Sequence, residues 1–485
     1  MKKFVPLILI LILGSFLRFY HLGEKGLWLD EAASLYRAEQ TFIPMLKGII
    51  ANDAHPPLYN TLLYLWIRGG KKVRYPQSFS PRAVTETRAR SLSALLGILS
   101  ILLTYQAGRL FFGEKAGLLA SLIMATSAYQ VFYAQEARLE TLVTLLIILS
   151  LYFFYRSLTE KKRALWVGFI LSTTLSLYTF FYSFFILLGE NIFFLSRLKK
   201  YRSSLKIFLL SQVLILILFS PWFPVLRQRI ALAESLPPAI HFSLLTAFLN
   251  IHTLFLDFTF GYARFAFPSW LISLTLLLFL FLTIYGLAAP SRPGTALFLS
   301  FWLFFPLFMA LSFPLKVHLF QSKYLIFSAP AYYLLLSGGL VKLKSRKISA
   351  ALLTLFILLN LVSLRLYYLK DFVKENWRGA TNYVEENSRK GDLVLFDPNY
   401  LGFAFDYYYS GNLARAGIPA QGFSRDLPTL RAEYPRIWLI RDDSPVSPPS
   451  GNAQARLQNK YLLKDSEQFP GLNGRILVNL YARKN

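Results

Sequence analysis

Acids are scarce over most of this chain: residues 1–367 contain thirteen, and four of them draw attention by position. Asp30 and Glu31 stand in Trp28-Leu-Asp-Glu-Ala32, directly after the first hydrophobic run. Glu136 lies in Tyr133-Ala-Gln-Glu-Ala-Arg138, a short turn between two apolar segments, and Glu140 follows one helical turn later. Ionisable groups in or near a bilayer are costly and tend to be functional. A loop carboxylate with a second acid and an arginine can make a general base with a positioned acceptor. The bland readings are an N-cap or first-turn acid for Asp30, and an interfacial salt bridge at a helix start for Glu136 with Arg138. About 105 residues separate Asp30 from Glu136. The topology set by the Lys and Arg residues puts both on the outer membrane face, and this shared face tips the balance toward function.

Other polar groups fall on the same predicted face. His55-Pro-Pro-Leu-Tyr59 has two prolines that stiffen a turn, and His55 suits a phosphate or sugar hydroxyl as well as a rigid corner. Lys316, Lys323 and Tyr324 stand at the outer end of the tenth apolar segment, where a cation can hold an anionic headgroup or simply snorkel. Arg88 and Arg90 open the second segment with the same two readings. The other histidines lack metal-ligand spacing. The sequence carries no phosphate loop, no dinucleotide fingerprint and no trustworthy Ser–His–Asp order. In the tail, Asp392 and Asp397 suit turn and cap roles, and Tyr407-Tyr408-Tyr409 suits packing.

The elements that must position these groups follow from composition. The chain is 55% hydrophobic, 16% aromatic and only 16% charged, with mean hydropathy +0.43. Soluble proteins carry about 25% charged residues, so this is a polytopic membrane protein. Net charge is +26, but the basic residues sit between apolar segments, which favours a membrane over nucleic acid. There is no cysteine, which excludes disulfides, thiolate catalysis and cysteine-ligated metals. Met1-Lys2-Lys3 before an apolar run resembles a signal peptide, yet no small-x-small site follows, so an uncleaved first span is expected.

Apolar segments fall near 4–20, 88–108, 116–133, 139–156, 164–181, 182–198, 207–224, 268–288, 295–312, 324–341 and 348–367, about eleven spans. With the N-terminus cytoplasmic, the inner loops collect eighteen Lys and Arg against Glu114 and Glu160. That orientation makes 21–87 a long first outer loop, expected to carry interfacial helices, and puts the C-terminus outside. Within this loop Pro57–Ile67 is too short to span and is expected at the interface, while 71–87 reads as irregular. A second outer region, 225–267, has no clear regular pattern. The expected division is a membrane domain over 1–369 and an extracytoplasmic domain over 370–485. In the tail, Trp377–Asn387 has helical spacing, and Asp392–Phe396, Arg436–Ile440 and Arg475–Tyr481 read as strands of a small α/β domain.

Five motifs in order, WLDEA at 28–32, HPPLY at 55–59, Arg88-Ala-Arg-Ser91, YAQEAR at 133–138 and KYLIFSAP at 323–330, resemble the family 39, protein mannosyltransferase-like branch of the C-type membrane glycosyltransferases. The tail phrase from Asn376 through Gly391-Asp392 resembles bacterial members, among relatives that include the lipid A aminoarabinose and galacturonosyl transferases. The resemblance implies an all-α polytopic membrane domain with a small C-terminal α/β domain. It implies an inverting transfer of a sugar from a polyprenyl-phosphate donor to a hydroxyl of a lipid, glycan or protein at the outer face of the cell (inner) membrane. Asp30, Glu31 and Glu136 become the catalytic acids, with Asp30 the base. His55, Tyr59, Arg88, Arg138, Lys323 and Tyr324 become the donor-phosphate and substrate contacts. Lys323 departs from the family's usual arginine, keeping the charge but not the bidentate fork. No metal is expected, a divalent ion shared by Asp30 and Glu136 being the alternative. A lipid or polysaccharide transporter and a non-catalytic envelope assembly protein are the competing functions; the lack of an internal repeat weighs against transport.

Overall fold

The computed structural model describes residues 4–69, 84–235, 244–261, 267–289, 294–312, 320–369, 372–418, 434–443, 453–472 and 474–484. The chain forms two compact units. One comprises Met1–Tyr20, Leu46–Leu62 and Arg90–Tyr367; the other comprises His21–Met45, Leu63–Ala89 and Tyr368–Asn485.

Every regular element among the first unit's described residues is a helix. Seven described helices are long and apolar enough to cross a membrane, or eight if the bent pair Glu114–Thr126 and Ala128–Ala134 is one span. Each of the eleven expected spans coincides with a helix or helix pair. The three not among these eight are the shorter apolar helices Val5–Phe19, Arg163–Leu177 and Ser183–Ser196. The protein is an integral membrane protein. Helices Glu140–Glu160 and Ser322–Lys342 are the most enclosed, with 78% and 89% of their apolar windows buried, so they form the centre of the bundle. Close crossings depend on glycine: a Cβ on Gly339 would stand 2.1 Å from the Leu282 carbonyl oxygen, and one on Gly286 1.9 Å from that of Leu335.

Two regions between the expected spans contain helices: 21–87, where interfacial helices are expected, and 225–267, where the sequence shows no clear regular pattern. Residues 21–87 contribute Leu29–Glu39, Phe42–Asn52 and Leu58–Arg68, each of eleven residues and far short of a span. The region 225–267 contributes most of Phe223–Ser235 and all of Leu244–Phe260. Of the segment 71–87, residues 71–83 lie outside the described residues, and helix Glu86–Phe112 has begun before its end.

The second unit carries a five-stranded sheet: β1 (Leu393–Asp397), β2 (Ala414–Gly417), β3 (Arg436–Asp442), β4 (Tyr461–Gly471) and β5 (Gly474–Arg483). The order is β2-β1-β3-β5-β4. β1 runs parallel to β2 and β3, in a register that sets Val394 opposite Trp438 and Leu395 opposite Leu439. β5 is antiparallel to β3 and β4, with an irregularity between Leu463 and Asp465. β1 and β3 are the central apolar strands; Leu393, Leu395, Ile437 and Leu439 pack with Leu457, Tyr461 and Tyr481 in one core. The expected helix is Trp377–Asn387, and it buries Trp377, Ala380, Thr381 and Val384, the i, i+3, i+4, i+7 stripe of an amphipathic helix. Asp392 takes the turn role expected of it: its Oδ2 accepts from the Trp438 indole at 2.9 Å, the Arg436 guanidinium at 2.8 Å and the Arg389 amide at 2.9 Å.

Candidate active site

In the second unit, Asp30 sits in the first turn of helix Leu29–Glu39, half-buried. A helix start presents unsatisfied N–H groups and favours negative charge. Here those amides are met by carboxylates from near and far. Trp28 N–H donates to Glu31 Oε2 at 3.4 Å, and Glu31 is fully buried, so this acid acts locally as a cap. Leu29 N–H donates to Glu375 Oε2 at 2.9 Å, and the Trp377 indole donates to the same oxygen at 2.7 Å. Two residues earlier, Leu27 N–H donates to the Tyr408 hydroxyl at 2.6 Å. The Lys374 ammonium lies 3.9 Å from the centre of the Trp28 ring. Arg378 donates to the Glu24 carbonyl at 3.0 Å and to Glu86 at 2.7 Å. The WLDEA segment is thus held from the tail, by Glu375 and Lys374, which the sequence reading did not single out, and by Tyr408, which it assigned to packing.

At the other end of that helix, Arg68 donates to the carbonyls of Ala38, Glu39 and Gln40 at 2.9, 3.1 and 2.7 Å. Burial pushes the Glu39 carboxyl up to about 7, against the attraction of Arg68. Burial, with Glu86 and Tyr408 nearby, also raises the Tyr407 phenol far above its ordinary value. All three tyrosines of 407–409 are buried, as packing residues are. Arg88, in the first turn of helix Glu86–Phe112, is exposed; its carbonyl accepts from the Trp66 indole at 3.2 Å.

In the first unit, Glu136 and Arg138 follow a broken span. Helices Glu114–Thr126 and Ala128–Ala134 meet at Ser127 with a 59° bend. A break inside a membrane frees carbonyls and amides that must be satisfied. Arg18, fully buried, donates to the Met124 and Ala125 carbonyls at 3.1 Å each. Asn360 Oδ1 accepts from the Ala128 amide at 2.8 Å, while its Nδ2 donates to Thr259 and Phe356 carbonyls. Past the second helix, Gln135 Nε2 faces the carbonyls of Leu17, Arg18 and Tyr20 at 3.3, 3.1 and 2.8 Å. The turn carrying Glu136 and Arg138, both buried, is therefore pinned to the end of the first helix. Tyr129 donates from its hydroxyl to the Ser322 carbonyl at 2.6 Å, which ties the same short helix to the residue before Lys323.

Two clusters gather the remaining expected residues of this unit. Tyr59 Oη pairs with Ser93 Oγ at 3.0 Å, and Ser93 Oγ reaches the Arg138 carbonyl at 3.2 Å. The His55 ring lies 5.5 Å from that of Phe180, which stacks on Tyr182 at 4.8 Å; both rings lie 5.6 Å from Tyr324. Lys323 Nζ stands 5.4 Å from the Tyr324 ring centre. The corner at His55 is built by buried Asp53, whose carboxylate accepts from the His55 amide at 3.1 Å and the Asn60 side chain at 3.4 Å. Asp53 was legible as an Asx-turn residue two positions before His55. Ser93, Phe180, Tyr182, Gln135 and Glu375 carried no such local signal. Lys316 lies outside the described residues. Among the described residues no group of three metal-ligating side chains occurs.

A bundle of membrane helices together with a small α/β unit is the architecture of the C-type glycosyltransferase fold. Residues 81–224 match the family model described as dolichyl-phosphate-mannose-protein mannosyltransferase. ArnT from Cupriavidus metallidurans, in its apo state, matches with a TM-score of 0.64 at 12% identity, over 98% of this chain and 97% of that one. The same protein bound to undecaprenyl phosphate matches with a TM-score of 0.55 at 13% identity, over the same 98% and 97%. The archaeal oligosaccharyltransferase AglB from Archaeoglobus fulgidus, in complex with an inhibitory peptide and a dolichol-phosphate, matches at 0.53 and 11% identity, over 100% of this chain and 74% of that one. A relative from Aquifex aeolicus (strain VF5), described as an uncharacterized protein, is 30% identical over 232 residues; the match spans 46% of this chain and 43% of that relative. The resemblance read from the motifs holds: the chain is similar to the protein mannosyltransferase-like C-type glycosyltransferases in its fold and over residues 81–224.

Proposed function

We propose that this protein is an inverting membrane glycosyltransferase that moves a sugar from a polyprenyl-phosphate donor to an acceptor hydroxyl. The observation that carries the reading is the agreement of two separate likenesses. A sugar-transferase family model matches 81–224, and the whole chain shares the fold of ArnT, a protein also seen with undecaprenyl phosphate bound. AglB, seen with a dolichol-phosphate, supports the same donor class.

In this mechanism Asp30 is the base. The acceptor oxygen attacks the anomeric carbon as its proton passes to the Asp30 carboxylate; the bond from that carbon to the phosphate oxygen breaks on the opposite face. One displacement inverts the centre and releases polyprenyl phosphate. That leaving group departs without protonation, so cations rather than a second acid assist it. Lys323, Arg138 and Arg88 take that role; Glu136 orients the acceptor, and His55, Tyr59 and Tyr324 serve binding. Glu31, spent on the Trp28 amide, supports Asp30 rather than the chemistry. Transfer takes place at the outer face of the cell (inner) membrane, with the N-terminus cytoplasmic and the C-terminal domain outside. The acceptor is a lipid, a glycan or a protein.

General-base assistance is worth about 10²–10⁴-fold, so Asp30→Asn should lower transfer from a polyprenyl-phosphate sugar by at least about 100-fold. The assay uses purified protein in lipid, with melting compared to confirm folding. Near wild-type turnover of a folded Asp30→Asn protein would remove the base assignment. Mass spectrometry of surface lipids and glycoproteins after gene deletion identifies the acceptor class.

A further inference from the structure

Glu190 has no part in the sugar-transfer mechanism, yet it is an acid near the middle of helix Ser183–Ser196 and only 2% exposed. Its Oε1 accepts from Ser150 Oγ at 2.9 Å, and Ser150 Oγ pairs with Thr173 Oγ1 at 2.8 Å. These hydroxyls come from helices Glu140–Glu160 and Arg163–Leu177, so one hydrogen-bond chain links three helices. Glu190 Oε2, by contrast, is buried and has no hydrogen-bond partner among the described residues. Glu190 lines a small open-mouthed cavity, with room for about one water-sized group, together with Leu151, Ile186, Phe193, Phe298, Phe301 and Trp302. The one other polar side chain in that wall, the Trp302 indole N–H, is already committed to the Phe327 carbonyl at 2.8 Å.

A buried carboxyl oxygen with no partner costs free energy, and the cost is recovered when a hydrogen-bonding group fills the space beside it. The side from which such a group arrives is set by the helix face. Phe301 is half-buried, and Phe304 and Phe308, at i+3 and i+7 on the same helix, are 38% and 62% exposed. Leu188, two residues from Glu190, is 42% exposed. These are apolar residues in the middle of membrane helices, so the surrounding phase is hydrocarbon. A charged ligand is excluded there; an uncharged hydroxyl is not.

We propose that the Glu190 cavity is an intramembrane binding site for a single hydroxyl group, carried either by a lipid-soluble alcohol or by a water molecule. It stands on geometry separate from the sugar-transfer assignment and does not depend on it. The test uses the full chain in lipid nanodiscs and two photoreactive probes: dodecanol bearing a diazirine near its hydroxyl, and the matching dodecane diazirine. If an alcohol occupies the site, dodecanol labels peptides 183–196 and 295–312 about fivefold or more above dodecane, the scale of one hydrogen bond to a buried acid. Glu190→Gln keeps the labelling, and Glu190→Leu abolishes the excess. If water occupies it, the two probes label alike. A high-resolution map then shows density within hydrogen-bond distance of Glu190 Oε2 that Glu190→Leu removes. Should Glu190→Leu fail to fold, Phe301→Trp fills the cavity while keeping the acid, and must remove the same signal. Equal labelling by both probes with no density beside Oε2 overturns the proposal.

Discussion

Removing the Glu375 side chain should loosen the segment that carries Asp30 while leaving the rest of the tail helix intact. Glu375 Oε2 receives two hydrogen bonds, from the Leu29 amide at 2.9 Å and the Trp377 indole at 2.7 Å. Hydrogen bonds to a charged acceptor contribute about 1.5–3 kcal/mol each when buried. Both bonds here are part-buried, and water replaces some of what is lost. About 2–3 kcal/mol of local stability is therefore at stake, or about 30–150-fold in an opening equilibrium. Hydrogen–deuterium exchange of Glu375→Ala should accelerate by that factor at the amides of residues 27–31. Helix Trp377–Asn387 provides the internal control, because its N-cap is separate: Asn376 Oδ1 accepts from the Gly379 amide at 3.1 Å. Glu375→Gln keeps an acceptor oxygen but not its charge and should fall between. If exchange at 27–31 is unchanged in Glu375→Ala, or if both segments accelerate equally, the tail does not hold the loop through this carboxylate.

Three further outcomes follow from the same geometry. Glu39 is held near 7 in the fold against about 4.3 when unfolded, so between these values the folded state keeps a proton that the unfolded state has lost. Its contribution is therefore fully present below about pH 4.3 and is lost as pH rises through 7; Glu39→Gln should flatten the fall in melting temperature between pH 5 and 8. Gly339→Ala puts a methyl 2.1 Å from the Leu282 carbonyl, so helices Ser269–Gly286 and Ala329–Lys342 must separate; destabilisation of about 1–3 kcal/mol or more, measured by thermal unfolding in detergent, is expected. Sugar transfer should survive EDTA, since the reading assigns no catalytic metal; loss on chelation that added divalent ions restore would replace it with the metal-dependent alternative.

Much of the fold was legible because the membrane makes a strong demand on sequence. Each span needs a long apolar run, and loops carry their sidedness in Lys and Arg. The tail's buried strands were equally plain, since Leu393–Asp397 and Arg436–Asp442 lie inside the sheet and each carries a run of four apolar residues. What stayed hidden was held together from a distance. β2 is the four residues Ala-Arg-Ala-Gly, and β4 is mostly exposed, so neither shows an apolar pattern; pairing with β1 and β5 makes them strands. The bend at Ser127 has no proline or glycine to announce it. It exists because Arg18 and Asn360, 107 and 232 residues from their partners in the bend, satisfy its free backbone groups. The motif positions name candidate acids and cations, but not what holds them. Glu31 and Asp30 look alike in sequence; the structure turns one inward to a helix amide and leaves the other half-buried.

The bond between Leu29 and Glu375 closes a gap of 346 residues. During synthesis, the segment with Asp30 emerges among the first parts of the chain, while the groups that steady it are made only after the last membrane helix. Until then the start of that helix lacks its contacts to Glu375 and Tyr408. A nascent or prematurely terminated chain therefore carries the WLDEA segment without the far half of its support.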